Sequence, residues 1–315
     1  MEVVVGPEHA SAPSGGSAVT IGAYDGVHLG HRHVLGILAS HADEHGLATV
    51  VVTFDRHPAT VVRPDSAPLL LTDLEQKLEL LAEAGVDTTL VVPFDEARAN
   101  ETAEDFVTEV LVGALAARVV VVGSDFHFGH GRKGNVALLT EMGRRHGFDT
   151  VGVALEDDSA GEVVSSTRIR HLVADGDVRG AARLLGRYHE IRGTVARGDG
   201  RGGSELGYPT ANVTVAPGIA VPGDGIYACF VELPGGGRRP AAVSFGRRPT
   251  FYDDGAPVLE AFVLDFADDL YGRPVRVSFV ERIREQRRFD SAKALAAEMA
   301  RDVEAARALL AAEPA

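Results

Sequence analysis

Cysteine is almost missing from this sequence: Cys229 is the only one among 315 residues. An intrachain disulfide framework is therefore excluded. Cys229 lies in an apolar, strand-like run, where a buried structural thiol in a reducing cytoplasm is the expectation. Tryptophan is absent, and no apolar run reaches the roughly 20 residues that a membrane-spanning helix needs. Positive charge is scarce as well. The 31 Lys and Arg face 45 Asp and Glu, for a net charge of -14. So acidic a chain is not expected to bind nucleic acid or an anionic membrane as its main partner, although a few local donors suffice for a nucleotide. The first 16 residues lack a basic segment followed by an apolar core, so a secretory signal is not expected. What is present, 45% hydrophobic and 24% charged residues, is the composition of a globular protein with room for two domains.

Apolar runs and helical periodicity alternate through the first half. Strands are expected at 19–21, 48–54, 88–92, 118–122 and 150–155, and helices over 30–45, 72–84, 102–116 and 135–147. Thr72 followed by Glu75 reads as a capping box, with Gly85 as the stop. Five such alternations define a doubly wound parallel α/β sheet, in which ligands bind at the carboxyl ends of the strands. A helical pattern over 166–185, broken at Gly176-Asp177, closes this half. Beyond it, short β-like runs at 190–195, 211–215, 225–233, 241–245, 258–266 and 275–283 predict an antiparallel barrel or sandwich. Ser291 caps a last helix to 311, with Leu295, Met299, Val303 and Ala306 as its apolar stripe. The boundary is placed near Leu185, giving domains 1–185 and 186–315.

The richest segment of the first half is Gly22-Ala-Tyr-Asp-Gly-Val-His-Leu-Gly-His31. A strand, a glycine-containing turn and a helix start form the geometry of a phosphate site, because free N–H groups and the helix dipole both face the turn. His28 and His31, three apart, can donate to phosphate oxygens. Metal binding by the nearby histidines is the weaker reading, since the spacing of a structural zinc site is missing. Segments at Asp55 to His57 and at 123–134 also follow strand ends. At Val164-Ser-Ser-Thr-Arg-Ile-Arg170, a hydroxyl pair and Arg170 at a helix start could hold outer phosphates, or Ser166 or Thr167 could be an ordinary cap.

In the second half, 198–212 carries five glycines before Tyr208-Pro-Thr-Ala-Asn212. This is not a P-loop, since Gly-x-x-x-x-Gly-Lys-Ser/Thr is absent from it. Thr210 and Asn212 share a side of a strand and offer hard oxygens suited to Mg2+. A glycine-rich hairpin without that role is the equal alternative. Glu260, a carboxylate inside an apolar run, is the candidate base, with solvent exposure on an edge strand as the plain reading.

Taken together, these motifs resemble the bacterial bifunctional riboflavin kinase/FMN adenylyltransferase family, or FAD synthetases. Also in order are Thr53-Phe-Asp-Arg-His-Pro58, Val122-Gly-Ser-Asp-Phe-His-Phe-Gly129, Ser244-Phe-Gly-Arg-Arg-Pro-Thr-Phe251, Glu260-Ala-Phe-Val-Leu-Asp265, Asp269-Leu-Tyr-Gly272 and Phe289-Asp-Ser291. Tyr24, Arg56, Ser124, His127 and Tyr208 depart from the family's usual residues. The resemblance implies a Rossmann-like nucleotidyltransferase domain followed by a small six-stranded flavokinase-like β-barrel with a C-terminal helix. Riboflavin, FMN, FAD, ATP, ADP and pyrophosphate would be its substrates and products, Mg2+ its cofactor, with transient self-association as an option.

By the same resemblance, His28 and His31 act on the α- and β-phosphates of ATP, and Glu260 is the kinase base. Gly22, Tyr24, Asp25, Ser166, Thr167 and Arg170 would bind one nucleotide. Gly198, Gly200, Gly202 and Gly203 would form a flap over the other. His57, Asp125, Phe126, Phe128, Arg284 and Phe289 would contact flavin. Thr210 and Asn212 would hold the metal. Transfer to a different phosphate acceptor, or a degenerate binding module, are the competing readings.

Overall fold

The computed structural model describes residues 1–154, 163–197, 208–246 and 258–313. Their contacts divide the chain into two compact units, Met1–Ser166 and Thr167–Ala315.

The strands of the first unit are β1 (Glu2–Val5), β2 (Ser17–Ile21), β3 (Ala48–Phe54), β4 (Thr88–Val92), β5 (Ala117–Gly123), the short β6 (His127–Phe128) and β7 (Gly134–Asn135), and β8 (Asp149–Val153). Six of them form one sheet in the order β1-β4-β3-β2-β5-β8, with every pairing parallel. This is the expected doubly wound sheet, widened by β1. Val50, Val51 and Val52 have no exposed surface, and burying each contributes about 1.5–3 kcal/mol. Both faces are covered, which explains the continuous apolar runs. The chain steps outward from β2 to β3 and β4, then returns to the other side of β2 as β5. The crevice between the ends of β2 and β5 is therefore the switch point where such sheets bind ligands.

The helices of this unit are α1 (Leu29–His45), α2 (Ala59–Val62), α3 (Leu74–Glu83), α4 (Glu96–Asn100), α5 (Ala103–Phe106) and α6 (Val136–His146). Two local expectations change. The cap of α3 is Asp73, not Thr72. Asp73 accepts from the Gln76 N–H at 2.7 Å, and the Gln76 side chain accepts from the Asp73 N–H at 3.1 Å. The helix expected over 102–116 begins as α5 and continues as a π-helix, Val107–Ala114. This wider turn accompanies full burial of Val107, Val110 and Leu111 in the core below the sheet.

The second unit opens with α7 (Ser166–Ala174, whose first residue closes the first unit) and α8 (Val178–Leu185). Its strands β9 (His189–Ala196), β10 (Ala211–Val213), β11 (Gly225–Glu232), β12 (Arg238–Gly246), β13 (Val258–Val263) and β14 (Pro274–Arg284) close into a barrel in the order β10-β13-β12-β11-β14-β9. Of the two all-β options the chain takes the barrel, with all pairings antiparallel. By contacts, α7 and α8 group with the barrel. α8 packs on β9 and β14, and its Val178 belongs to the barrel's core. Ser291 caps α9 (Ala292–Ala311) by accepting from the Ala294 N–H at 3.2 Å. Ala306 and Leu310 of α9 pack on the outer wall of the barrel, against Phe230 and Ala242. The expected stripe is only partly buried, while Glu298 and Asp302 of the same helix are 6% exposed each.

Candidate active sites

The first site is assembled by the turn between β2 and α1. Gly22 leaves β2 with its N–H donating to Val52 O at 3.0 Å. Three residues of the turn then adopt positive φ: Tyr24 at 49°, Gly26 at 84° and Val27 at 37°. Left-handed conformation is costly for a β-branched residue, on the order of 1–3 kcal/mol. The surroundings hold it, because Val27 is fully buried and Tyr24 is 3% exposed. The Tyr24 and Thr20 hydroxyls are 2.7 Å apart. Burial pushes the Tyr24 phenol well above its ordinary range, despite that hydrogen bond.

Asp25 braces the turn from beneath. Its carboxylate, 4% exposed, accepts from the N–H groups of Leu71 at 2.9 Å and Thr72 at 3.2 Å. The Thr72 hydroxyl accepts from the Gly26 N–H at 3.1 Å. This is the work of Thr72 in place of the expected cap. The side chains of Tyr24 and Asp25 thus shape the turn from within.

His28 caps α1. Its Nδ1 accepts from the His31 N–H at 3.3 Å, which leaves the ring proton on Nε2. The two imidazoles stack with centroids 3.7 Å apart and planes 16° from parallel, and Tyr24 lies 4.8 Å from His31. Gly30 makes room for the stack. A Cβ there would lie 3.3 Å from the His28 ring and 3.5 Å from Val164 O. No acidic side chain occupies the first turn of α1. The helix start therefore brings two imidazoles together with the positive end of its own dipole.

Further expected residues of the first unit follow the ends of β3 and β5. The Ser166 hydroxyl donates to Asp25 O at 2.9 Å. Thr167 and Arg170 follow on α7, in the second unit. After β3, Asp55 accepts from the Phe94 N–H at 2.8 Å and from Arg56. His57 Nδ1 accepts from the Ala59 N–H at 3.1 Å. After β5, Asp125 is exposed, while Phe126 and Phe128 stack at 5.4 Å and rest on the core. Pairing of β6 with β7 holds this aromatic loop in place.

The second site lies on the outer wall of the barrel. Ala211, Val213, Leu259, Ala261, Val243 and Phe245 point inward to its core. Alternation turns Asn212, Glu260 and Ser244 to the opposite face. Register makes them direct neighbours: Asn212 pairs with Glu260, and Glu260 with Ser244. Cross-strand partners hold their Cβ atoms roughly 4.5–5.5 Å apart. The row continues with Gln286, whose amide donates to the Ser244 hydroxyl at 3.2 Å and to Phe245 O at 3.1 Å. Thr210 is half-buried two residues before Asn212. Tyr208 packs edge-on against Phe262, one step along the same face from Glu260. The flap residues Gly198, Gly200, Gly202 and Gly203 lie outside the described residues.

Arg284 ends β14. Its guanidinium grips Asp302 through two hydrogen bonds of 2.8 and 2.7 Å and approaches Glu298 at 3.6 Å. It also stands 5.8 Å from the centroid of the Phe289 ring, which Arg287 approaches at 5.4 Å. Arg284 therefore docks the segment carrying Phe289 onto α9. Sequence reasoning missed Ser244, Gln286, Asp302 and the buried Lys77. The signal for Lys77 was its place on the apolar face of α3, three and four residues before Leu80 and Leu81. Among the described residues, one group could gather a metal ion: His41, Glu44 and His45, with ligand atoms within 4.8 Å of one another. It sits on α1 about 20 Å along the helix from His28.

Comparison with known proteins gives a family for each half of the chain. The FAD synthetase model matches residues 10–168, and the riboflavin kinase model matches 185–310. The bifunctional riboflavin kinase/FMN adenylyltransferase of Escherichia coli K12 is 40% identical over 293 residues, 92% of each chain. The chain belongs to the bifunctional riboflavin kinase/FMN adenylyltransferase family. The Pseudomonas fluorescens member is 38% identical, covering 99% of this chain and 98% of its own. A solved structure, described as a macrolide-efflux protein from Streptococcus pneumoniae, superposes with a TM-score of 0.87 at 29% identity, covering 98% of this chain and 99% of that one. As in the family, the FMN adenylyltransferase is the N-terminal half and the riboflavin kinase the C-terminal half. Among the described residues no helix is long and apolar enough to cross a membrane.

Proposed function

We propose that FMN adenylylation takes place at the turn between β2 and α1. A phosphate oxygen of FMN attacks the α-phosphorus of ATP, the bond to the bridging oxygen breaks, and pyrophosphate leaves. No covalent enzyme intermediate is needed. Negative charge grows on the α- and β-phosphate oxygens, and the rings of His28 and His31 donate to them. The single observation that carries this reading is the stacked histidine pair at the start of α1, at the sheet's switch point. Ser166, Thr167 and Arg170 take the outer phosphates. Gly22 lets the nucleotide approach, and Tyr24 and Asp25 fix the turn's shape. Asp125, Phe126, Phe128 and His57 receive the FMN.

Riboflavin phosphorylation takes place on the outer wall of the barrel. Glu260 accepts the proton of the ribityl hydroxyl as it attacks the γ-phosphorus of a second ATP, and ADP leaves. Asn212 stands directly across from that carboxylate and Thr210 two residues before it, and their oxygens are hard donors of the kind Mg2+ takes. Bound there, Mg2+ neutralises charge on the ATP phosphates. Phe289, docked through Arg284, covers the flavin, and the glycines 198, 200, 202 and 203 close over the nucleotide. We place domains 1–185 and 186–315 as the two catalytic portions and the cytoplasm as the compartment, which suits a fully buried thiol at Cys229.

Incubation with riboflavin, ATP and Mg2+, followed by chromatography, tests the whole scheme. FMN and FAD should both accumulate. FMN without FAD would remove the assignment of the first site, and neither product would remove both.

A further inference from the structure

Lys77 is a cation sealed beneath the adenylyl-transfer turn. It projects from α3 and is 8% exposed. Its ammonium donates to Ala23 O at 3.2 Å, to the Thr53 hydroxyl at 3.1 Å and to Phe54 O at 2.9 Å. Ala23 belongs to the phosphate turn after β2. Thr53 and Phe54 are the last residues of β3, just before Asp55 and His57. The Thr53 hydroxyl also donates to Ala23 O at 3.2 Å. One ammonium thus spends its three donors on joining the ends of two adjacent strands.

We propose that Lys77 is a positioning residue for adenylyl transfer, clamping the His28–His31 turn to the end of β3 so that the nucleotide and flavin sides of the crevice keep a fixed spacing. The inference rests on placing FMN adenylylation at this turn. A loop holding strained backbone at Tyr24 and Val27 needs such a fastening. Loss of a fraction of an ångström in spacing is enough to reduce catalysis by positioning.

The charge state of the clamp supports the same role. Burial lowers the Lys77 pKa to about 8, against the opposing pull of Asp25 and Asp55, the two carboxylates that face it from the β2 and β3 loops. The neutral amine keeps two donors for three acceptors. The clamp is therefore complete below about pH 8 and loses one hydrogen bond above it.

The test compares wild type, Lys77→Met and Lys77→Arg, with FMN adenylylation and riboflavin phosphorylation measured separately from pH 6.5 to 9.5. In the wild type, kcat for FAD formation should fall on an alkaline limb near pH 8 that the kinase reaction lacks. Lys77→Met should reduce kcat for FAD formation at least tenfold, change KM for ATP less, and lose the limb. Lys77→Arg, which keeps its charge throughout, should recover part of the rate without the limb. Riboflavin phosphorylation should stay at the wild-type rate in both variants, and thermal unfolding of the first unit, which holds Lys77, reports separately that it has folded. A wild-type profile flat through pH 9.5 overturns the inference even if neither variant can be purified, and so does Lys77→Met within twofold of wild type. Absence of FAD formation in the wild type overturns the site assignment instead.

Discussion

Replacement of His28 separates its two duties. The ring caps α1 through Nδ1, and its Nε2–H is the donor assigned to phosphate. Loss of an N-cap side chain costs about 1 kcal/mol. Loss of a donor to charge that grows in the transition state costs about 2.7–4 kcal/mol, or 10²- to 10³-fold in kcat. His28→Ala removes both. His28→Asn removes only the second, because asparagine is among the best capping residues and its side-chain oxygen can accept from the His31 N–H.

The asparagine variant should therefore unfold at close to the wild-type temperature yet form FAD from FMN and ATP at least a hundredfold more slowly. The alanine variant should be equally slow and also less stable. Both should convert riboflavin to FMN at the wild-type rate, since the row at Glu260 belongs to the other unit. Chromatography of each product and thermal unfolding of each variant supply the measurements. If His28→Asn forms FAD at a rate near wild type, the imidazole serves only as a cap and the electrostatic assignment is wrong. If FMN formation falls in step with FAD formation, the assignment of two separate sites is wrong.

Glu260→Gln should abolish FMN formation while leaving FAD formation from supplied FMN intact; residual kinase activity above one hundredth of wild type would exclude Glu260 as the base. Asp302→Ala leaves Arg284 without its two-fold partner in a setting where the paired side chains are only 18% and 8% exposed. A loss of about 3 kcal/mol from the second unit is expected, read by denaturant titration, together with a raised KM for riboflavin as Phe289 loses its mooring. The Cys229 thiol, fully buried and with its pKa pushed up by that burial, should resist a thiol reagent until the protein is unfolded. Rapid labelling of the native chain would contradict the barrel packing.

The elements legible in the sequence are those that one local force decides. The strands over 48–54 and 88–92 coincide with β3 and β4, because burial on both faces writes an uninterrupted apolar run. The cap Ser291 followed from local hydroxyl chemistry. The errors fall where tertiary contacts compete with local ones. Thr72 has a capping residue's chemistry, but the Gly26 N–H claims its hydroxyl from 46 positions away, and neighbouring Asp73 takes the cap. Lys77, Glu298 and Asp302 occupy helix positions that charge alone would assign to solvent. Their partners lie on other elements, at Ala23, Phe54 and Arg284, and no helical spacing reveals them. Arg284 carries a second task that spacing does not show, bracing Phe289 through Asp302.

The two sites reach their geometry by opposite means, and this decides which substitutions each tolerates. The barrel site is set by register. Asn212, Glu260 and Ser244 are adjacent because three strands pair without a slip, and each side chain could change while the backbone kept its place. The histidine site is set by side chains that bend the backbone. Tyr24 and Val27 hold left-handed conformations only because Thr20, Thr72, Asp25 and the β3 end grip the turn from below. A conservative change at a residue that never meets the nucleotide can release that strain and move both imidazoles together. The adenylyltransferase should therefore be the activity more easily lost to substitutions outside its ligand contacts, and the kinase the one lost chiefly through the row of side chains itself.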